Sequence, residues 1–309
     1  MAQADRTRAA AFPWGAPTTE EVTALVTDIR RFSVHHGPGV RSLVRLKGCP
    51  LRCVWCHQPE AQQLRPELAI EAESCRACPA LCTVSPRPEA CEAHPLGPGA
   101  CIRCAREGLD SFLRLVGRHY SIDEVMGLLE RDARLYECSG GGITLGGGEP
   151  LYQSVFATGL LRAARRRGWH TCLETSGQAS TSVFEEALDY TDLVLFDLKE
   201  TDLELHEVWT GVALEPIIRN LVRAAVSGAE LRVRLPVVPL ANDRDDHWRQ
   251  VGDLLADLPG RPPVQLMPYC PGKVAPTGAP PGVALEPTPA RLGEIANILQ
   301  HHGLEVSVA

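Results

Sequence analysis

Three thiols crowd into one short stretch, Lys47-Gly-Cys49-Pro-Leu-Arg-Cys53-Val-Trp55-Cys56-His57, in a C-x3-C-x2-C array. Thiolates closing on one small loop make a soft-sulfur site, suited to zinc or an iron–sulfur cluster. A structural zinc would call for a fourth protein ligand, often Cys or His. His57 is at hand, but it directly follows Cys56, and adjacent residues rarely both turn onto one metal. A [4Fe–4S] cluster held by three cysteines instead leaves one iron open to a small molecule. That open iron is where chemistry is expected.

A loop of this kind needs a rigid frame, and much of the chain reads as one. Short apolar strands are expected at Val26–Ser33, Ser42–Leu46, Ile143–Leu145, Thr171–Leu173, Leu193–Phe196, Leu231–Leu235, Val264–Met267 and Glu305–Val308. Between them lie amphipathic helices at about Tyr152–Arg167, Val183–Leu188, Ile217–Ser227, His247–Leu258 and Pro289–Gln300. A further helix starts at Ser121, with Glu124 three residues on completing a capping box, and runs to about Leu135. Alternating strands and helices imply a parallel sheet with right-handed crossovers. Counting from Ser42–Leu46 gives about six βα units, so the expected fold is α/β, a partial (β/α)6 barrel; a doubly wound sheet is the alternative.

In such folds chemistry sits at the carboxyl ends of the strands, and here those ends are unusual. The first leads into the Cys49 loop and the second ends in Gly146-Gly147-Gly148-Glu149-Pro150. The next three end in Glu174-Thr175-Ser-Gly177, Asp197-Leu-Lys199 and Arg234-Leu-Pro236, and the sixth in Pro268-Tyr269-Cys270. The glycines let backbone approach a ligand closely, and Glu149 beside them is an acceptor for a cationic donor. Asp197 and Lys199 share one strand face because side chains alternate, and Lys199 can meet a carboxylate. The plain alternatives are a glycine turn and a surface ion pair worth about 0–1 kcal/mol. Six such endings around one rim argue for a site instead.

Composition sets the limits. The chain has 309 residues, a net charge of -7 and twelve cysteines, enough for one substantial core and a small appendage. The acidic balance argues against nucleic acid as a partner. No apolar run approaches the roughly 20 residues of a membrane span, and Met1 to Ala16 hold no continuous apolar signal region. A cytoplasmic protein is expected, in which many cysteines are metal ligands rather than disulfides. Four segments follow: a frayed extension over 1–24, the first part of the barrel with the cysteine loop over 25–65, a cysteine-rich insert over 66–118, and the rest of the barrel over 119–309. The insert holds Cys75, Cys78, Cys82, Cys91, Cys101 and Cys104 among prolines, with little apolar periodicity, so metal would have to staple it. Six cysteines cannot fill two four-cysteine clusters. One auxiliary [4Fe–4S] using Cys75, Cys78 and Cys82 with one of Cys91, Cys101 or Cys104 is expected, and a zinc knot of Cys75, Cys78, Cys101 and Cys104 competes. Cys172 reads as core and Cys138 as structural, while His301-His302 reads as a solvated helix end.

The cysteine spacing, with Trp55 before the third thiol, resembles the radical S-adenosylmethionine (SAM) superfamily. The fuller set resembles its glycyl-radical enzyme activating enzymes: Lys47 to Cys56, Gly147-Gly-Glu-Pro150, Asp192 to Lys199, His206 with Thr210-Gly211, and Arg234-Leu-Pro-Val-Val-Pro239. The resemblance runs in order over roughly 25–275. It implies a cluster on Cys49, Cys53 and Cys56 and SAM held by Trp55, Gly147, Gly148, Glu149, Glu174, Thr175, Asp197 and Lys199, with a monovalent cation as a candidate near Glu174 and Thr175. It also implies a monomer that takes electrons from a flavodoxin- or ferredoxin-type donor and removes hydrogen from a backbone glycine of a partner glycyl-radical enzyme. Gly37, Gly39, Arg41, Arg234 and Tyr269 would then face the peptide. The family's Asp before Gly-Pro-Gly is His36 here, and its His after Pro-Tyr is Cys270. Two other classes compete: a radical SAM enzyme acting on a small molecule, and a metal-binding interaction protein without catalysis.

Overall fold

A computed structural model describes residues 22–70, 113–270 and 285–309. The strands are β1 (Thr23–Ser33), β2 (Arg41–Leu46), β3 (Glu67–Ile70), β4 (Leu113–Val116), β5 (Arg118–Ser121), β6 (Gly142–Gly147), β7 (His170–Thr175), β8 (Leu193–Asp197), β9 (Glu230–Val237), β10 (Val264–Pro268) and β11 (Val306–Val308). The helices are α1 (Ile122–Leu129), α2 (Ala133–Ser139), α3 (Ser154–Arg166), α4 (Thr181–Leu188), α5 (Leu203–Thr210), α6 (Glu215–Val226), α7 (Asp245–Ala256) and α8 (Pro289–His301). Among the described residues no helix is long and apolar enough to cross a membrane.

One sheet carries nine strands in the order β11-β10-β9-β8-β7-β6-β2-β1-β5. From β2 to β11 every neighbouring pair is parallel, while β1 pairs antiparallel with β2 and β5. The parallel strands follow one another in a single direction. A doubly wound sheet would reverse that order at a switch point, so the alternative reading falls and the partial barrel stands. Right-handed crossovers then put the helices on one face. Ile143, Leu145, Leu173, Val194, Phe196, Val233 and Leu235 pack there against Phe156, Leu160, Phe184, Leu221 and Trp248. Strand side chains alternate between faces, so the opposite face presents Thr144, Cys172, Glu174, Leu195, Asp197 and Arg234. Cys172, Leu193 and Leu195 form a small apolar cluster of their own.

Local sequence explains most boundaries. Ser121 caps α1 as expected, with its backbone N–H donating to Glu124 (2.7 Å) and its side chain accepting from the Glu124 N–H (3.1 Å). That helix does not run unbroken to Leu135. It tightens to a 3-10 turn at Glu130–Asp132, where Asp132 is drawn inward by the guanidinium of Arg31 (Nε to Oδ2, 2.7 Å) and by Ser42 (3.3 Å). β1 begins at Thr23, inside the expected extension, with Ala24 and Leu25 buried. β3 and β4 pair antiparallel, Glu67 opposite Val116, so the chain leaves and re-enters the barrel at one place. Between those strands, Cys75, Cys78, Cys82, Cys91, Cys101 and Cys104 lie outside the described residues. Cys172 is wholly buried and Cys138 exposed.

The His36-Gly37-Pro38-Gly39 turn folds into the barrel. Arg41 is completely buried, with Nε donating to Thr144 Oγ1 (2.8 Å), Nη1 to the Pro38 carbonyl (2.9 Å) and Nη2 to the carbonyls of Ile143 and His170. Gly39 lies against Ser139 and Gly141 backbone, with no room for a Cβ. These two residues build the barrel floor. The Arg41 guanidinium is fully engaged and solvent does not reach it, while Gly39 is half-buried.

Candidate functional site

A cavity of about 340 Å³ opens at the carboxyl ends of the parallel strands. Cys49, Cys53 and Cys56 all face it, together with Trp55, His57, Gly147, Gly148, Glu174, Thr175, Ser176, Asp197, Lys199, Arg234, Tyr269 and, from the floor turn, His36. Every parallel strand from β2 to β10 contributes, as expected from the strand ends.

The cysteine loop hangs on backbone hydrogen bonds rather than on helix. Gly48 and Cys49 donate to the carbonyls of Ala61 (2.7 Å) and Gln62 (2.9 Å), and Cys56 to Cys53 (3.0 Å). The far side is held by α5, which the sequence reading passed over. Arg52 N–H donates to the Thr210 carbonyl (2.6 Å) and Val54 N–H to that of Trp209 (3.0 Å). The signals for α5 are present: Asp202 caps it by accepting from Leu205 N–H, and Gly211 ends it at φ 75. Inside α5, buried His206 joins Nδ1 to the Val212 carbonyl (2.9 Å), and Thr210 Oγ1 donates to the His206 carbonyl (2.7 Å). That pairing gives the His206…Thr210-Gly211 motif its work, which is to shape the helix end that carries the loop. Gln153 braces the approach, donating to the carbonyls of Leu25 and Lys47 (2.9 and 2.8 Å).

The glycine run serves the same loop. Gly148 N–H donates to the Leu46 carbonyl and Glu149 N–H to the Gly48 carbonyl, both at 2.9 Å. Gly147 has φ 107, and a Cβ on Gly148 would strike the Gly48 carbonyl oxygen. Close approach of the two loops therefore demands glycine before any ligand is considered.

Glu149 stands behind the cavity wall, not on it. Only 1% exposed, it accepts from Thr175 Oγ1 (2.8 Å), Ser176 N–H (2.9 Å), Ser176 Oγ (2.6 Å) and Leu151 N–H (3.2 Å). Burial pushes its carboxyl up, against the pull of these donors. Four donors occupy the carboxylate, which thereby positions Thr175 and Ser176. Ser176, absent from the sequence reading, lines the cavity; the short Glu174-Thr-Ser-Gly177 ending was the available signal.

Facing the cavity, a chain of charges runs from the His36 turn across β7, β8 and β9. His36 Nδ1 lies 2.6 Å from Glu174 Oε1, and Arg234 bridges Glu174 (Nη1 to Oε1, 2.8 Å) and Asp197 (Nε to Oδ1, 2.7 Å). Lys199 Nζ is 3.4 Å from Asp197 Oδ2. Burial opposes both carboxylates, but Arg234, together with His36 at Glu174 and Lys199 at Asp197, outweighs it, and their pKa values end below the ordinary range. Burial likewise opposes the Lys199 ammonium, but Asp197 and then the Cys53 and Cys49 sulfurs raise it. Asn242 fixes the frame: Nδ2 donates to the carbonyls of Lys199 (2.9 Å) and Pro236 (2.7 Å), while Oδ1 accepts from Val238 N–H (2.9 Å). Beyond Lys199, buried Glu200 accepts from Arg244 (3.1 and 3.2 Å) and lies 2.8 Å from His247 Nδ1.

The donor set fits an iron–sulfur cluster. Burial pushes the Cys49 thiol up to about 12 and the Cys53 thiol up to about 11, so these sulfurs become anions at neutral pH only where a metal takes the proton's place. Among the described residues no three His, Cys, Asp or Glu side chains converge on one ion. A cube asks for something else, since each of its three cysteines serves a separate iron around a shared space. Trp55 and Tyr269 border that space within a small apolar cluster that includes Val238 and Ala241, and the His57 ring stands edge-on to Tyr269 at 5.0 Å.

The family model described as the Radical SAM superfamily matches residues 43–250. The isethionate sulfite-lyase activating enzyme of Oleidesulfovibrio alaskensis is 40% identical over 263 residues, covering 81% of this chain and 84% of the relative. The benzylsuccinate synthase activating enzyme of Thauera aromatica is 33% identical over 304 residues, 92% of each chain. Among solved structures, a domain of the pyruvate-formate lyase-activating enzyme from Bacteroides vulgatus is 26% identical with a TM-score of 0.48, covering 55% of this chain and 99% of that one.

Proposed function

This chain belongs to the radical SAM superfamily and, within it, to the glycyl-radical enzyme activating enzymes, and from that membership we propose how its residues divide the work. The cluster, when bound, supplies the electron that breaks the C5′–S bond of SAM, giving methionine and a 5′-deoxyadenosyl radical that takes a hydrogen atom from a glycine Cα of the partner enzyme. Cys49, Cys53 and Cys56 would hold the cluster and leave one iron open to SAM. Lys199, turned toward the sulfurs and steadied by Asp197, meets the carboxylate of SAM. Gly147, Gly148, Thr175 and Ser176 offer backbone and hydroxyl groups along its methionine end, with Glu149 holding the last two in place. Trp55 and Tyr269 supply apolar walls that keep water from the reacting carbon.

A single observation carries this reading: three thiols, an ammonium and a glycine turn open onto one cavity of about 340 Å³, a size usual for small-molecule sites. Tyr269 on the cavity wall, and Gly37 next to His36 of that wall, face the partner's glycine loop. The two named relatives act with different partner enzymes, so the partner's identity is not carried by the shared site.

The remaining assignments are ours as well. Cys75, Cys78 and Cys82, with one of Cys91, Cys101 or Cys104, hold one auxiliary [4Fe–4S], or else the cysteines of this segment hold zinc. A flavodoxin- or ferredoxin-type protein donates electrons to a monomer in the cytoplasm.

The test is electron paramagnetic resonance (EPR). Reduced protein, SAM and a glycyl-radical enzyme should together give the doublet of a glycine-centred radical. Turnover of a small metabolite with no doublet from any such partner would overturn the reading.

A further inference from the structure

The sequence points to a monovalent cation beside Glu174 and Thr175, and the side chains found there do not fit one. Glu174 Oε1 is shared between His36 (2.6 Å) and Arg234 (2.8 Å). Thr175 Oγ1 donates to Glu149 (2.8 Å) and accepts from Gly177 N–H (2.9 Å). Asp197, the other carboxylate of the cavity wall, is taken by Arg234 (2.7 Å) and Lys199 (3.4 Å). Glu174 Oε1, Thr175 Oγ1 and both Asp197 oxygens, the side-chain acceptors nearest that place, already have donors.

We propose that the Arg234 guanidinium is the fixed counter-cation of this wall, bridging Glu174 and Asp197 so that the site holds SAM without a metal ion. The inference rests on the reading of the cavity as the SAM site. Charge supports it: Glu174 and Asp197 carry two negative charges, and Arg234 and Lys199 carry two positive ones. Geometry supports it too. A planar guanidinium reaches two carboxylates with separate N–H groups, which a lysine cannot do, and its two bonds here are short and charge-assisted. Arg234 is only 8% exposed, so an incoming ion would have to displace it from both partners. With Nε and Nη1 committed, Arg234 is a positioning residue. It fixes Asp197, and Asp197 steadies Lys199. That replaces its expected role against the partner peptide.

The experiment compares melting temperatures of anaerobic, cluster-loaded full-length protein in potassium chloride and in tetramethylammonium chloride at equal ionic strength, for wild type and for Arg234→Gln. Wild type should melt at the same temperature in both salts. The variant, with the bridge removed, should melt lower and regain about 2–4 °C in potassium alone, as an ion fills the vacated place. Should Arg234→Gln fail to fold, Arg234→Lys is measured instead. Its single ammonium cannot span both carboxylates, and a smaller potassium-specific gain is expected. A potassium-specific shift in wild type, or none in the variant measured, would overturn the proposal. SAM cleavage is followed in both salts as a separate readout. Wild type that cleaves no SAM in either salt counts against the functional reading, while the melting data still judge Arg234.

Discussion

Replacing Glu149 with Gln changes one atom and separates two accounts of the Gly-Gly-Glu turn. In the structure the carboxylate accepts four hydrogen bonds and lies behind the cavity lining. An amide oxygen can stand in for Oε1 toward Thr175 and Leu151. The amide nitrogen then meets two donors, the N–H and hydroxyl of Ser176, or the reverse if the amide flips. Hydrogen bonds to a charged group contribute about 1.5–3 kcal/mol each, and a buried donor left unpaired costs about 1–3 kcal/mol. Removal of a desolvated charge offsets part of this, since burial disfavours the ionised form. The net loss should be on the order of 3 kcal/mol, a fall of about 5 °C in melting temperature for a protein of this size. Thermal unfolding of anaerobic protein, followed by circular dichroism, reads the loss directly. SAM binding should weaken in parallel, because Ser176 and Thr175 shift. A Glu149→Gln protein that melts with wild type yet no longer binds SAM would refute the reasoning, since only direct contact between Glu149 and the ligand predicts that pattern.

Other expectations follow from the same geometry. Gly148→Ala places a Cβ against the Gly48 carbonyl, so the cysteine loop must move, and anaerobically purified variant should hold clearly less iron than wild type. Glu200 is held at about 2 although burial opposes its charge, because His247 and then Arg244 bind it. Its folded-state pKa is depressed, so its stabilisation is complete above the ordinary glutamate value near 4.3 and lost as pH falls from there toward 2. Unfolding from pH 6 downward should show about 3 kcal/mol of this loss, and Glu200→Gln should remove that part of the slope. Exchanging Cys75 and Cys78 for Ala should lower metal content while SAM cleavage by the barrel persists; lost cleavage would tie the insert to the first cluster.

Much of the frame was legible in the sequence because apolar strands and capped helices announce themselves locally. Val194 and Phe196 read as strand from their own run, and Ser121 with Glu124 reads as a helix start without any partner. The rim of the site was also legible, since Cys49, Cys53, Cys56, Gly147, Gly148, Asp197 and Lys199 are polar or glycine exceptions at strand ends. What escaped depends on contacts between distant segments. Glu149 carries an acceptor's chemistry, and only the fold shows that Ser176 and Thr175 claim it first. Arg41 and Arg234 look alike as basic residues near strands. One is sealed into the floor by carbonyls of β6 and β7, while the other spans two carboxylates, and neither arrangement leaves a trace in local pattern. The helix α5 went unread because its apolar stripe is weak, although Asp202 and Gly211 marked both ends.

The most direct check is 5′-deoxyadenosine released when anaerobic protein is reduced in the presence of SAM, measured for wild type and for Cys53→Ala. Wild type should form the nucleoside and the variant none, because one lost sulfur leaves the cube without its three-point hold. Formation of 5′-deoxyadenosine by Cys53→Ala at the wild-type rate would contradict the account.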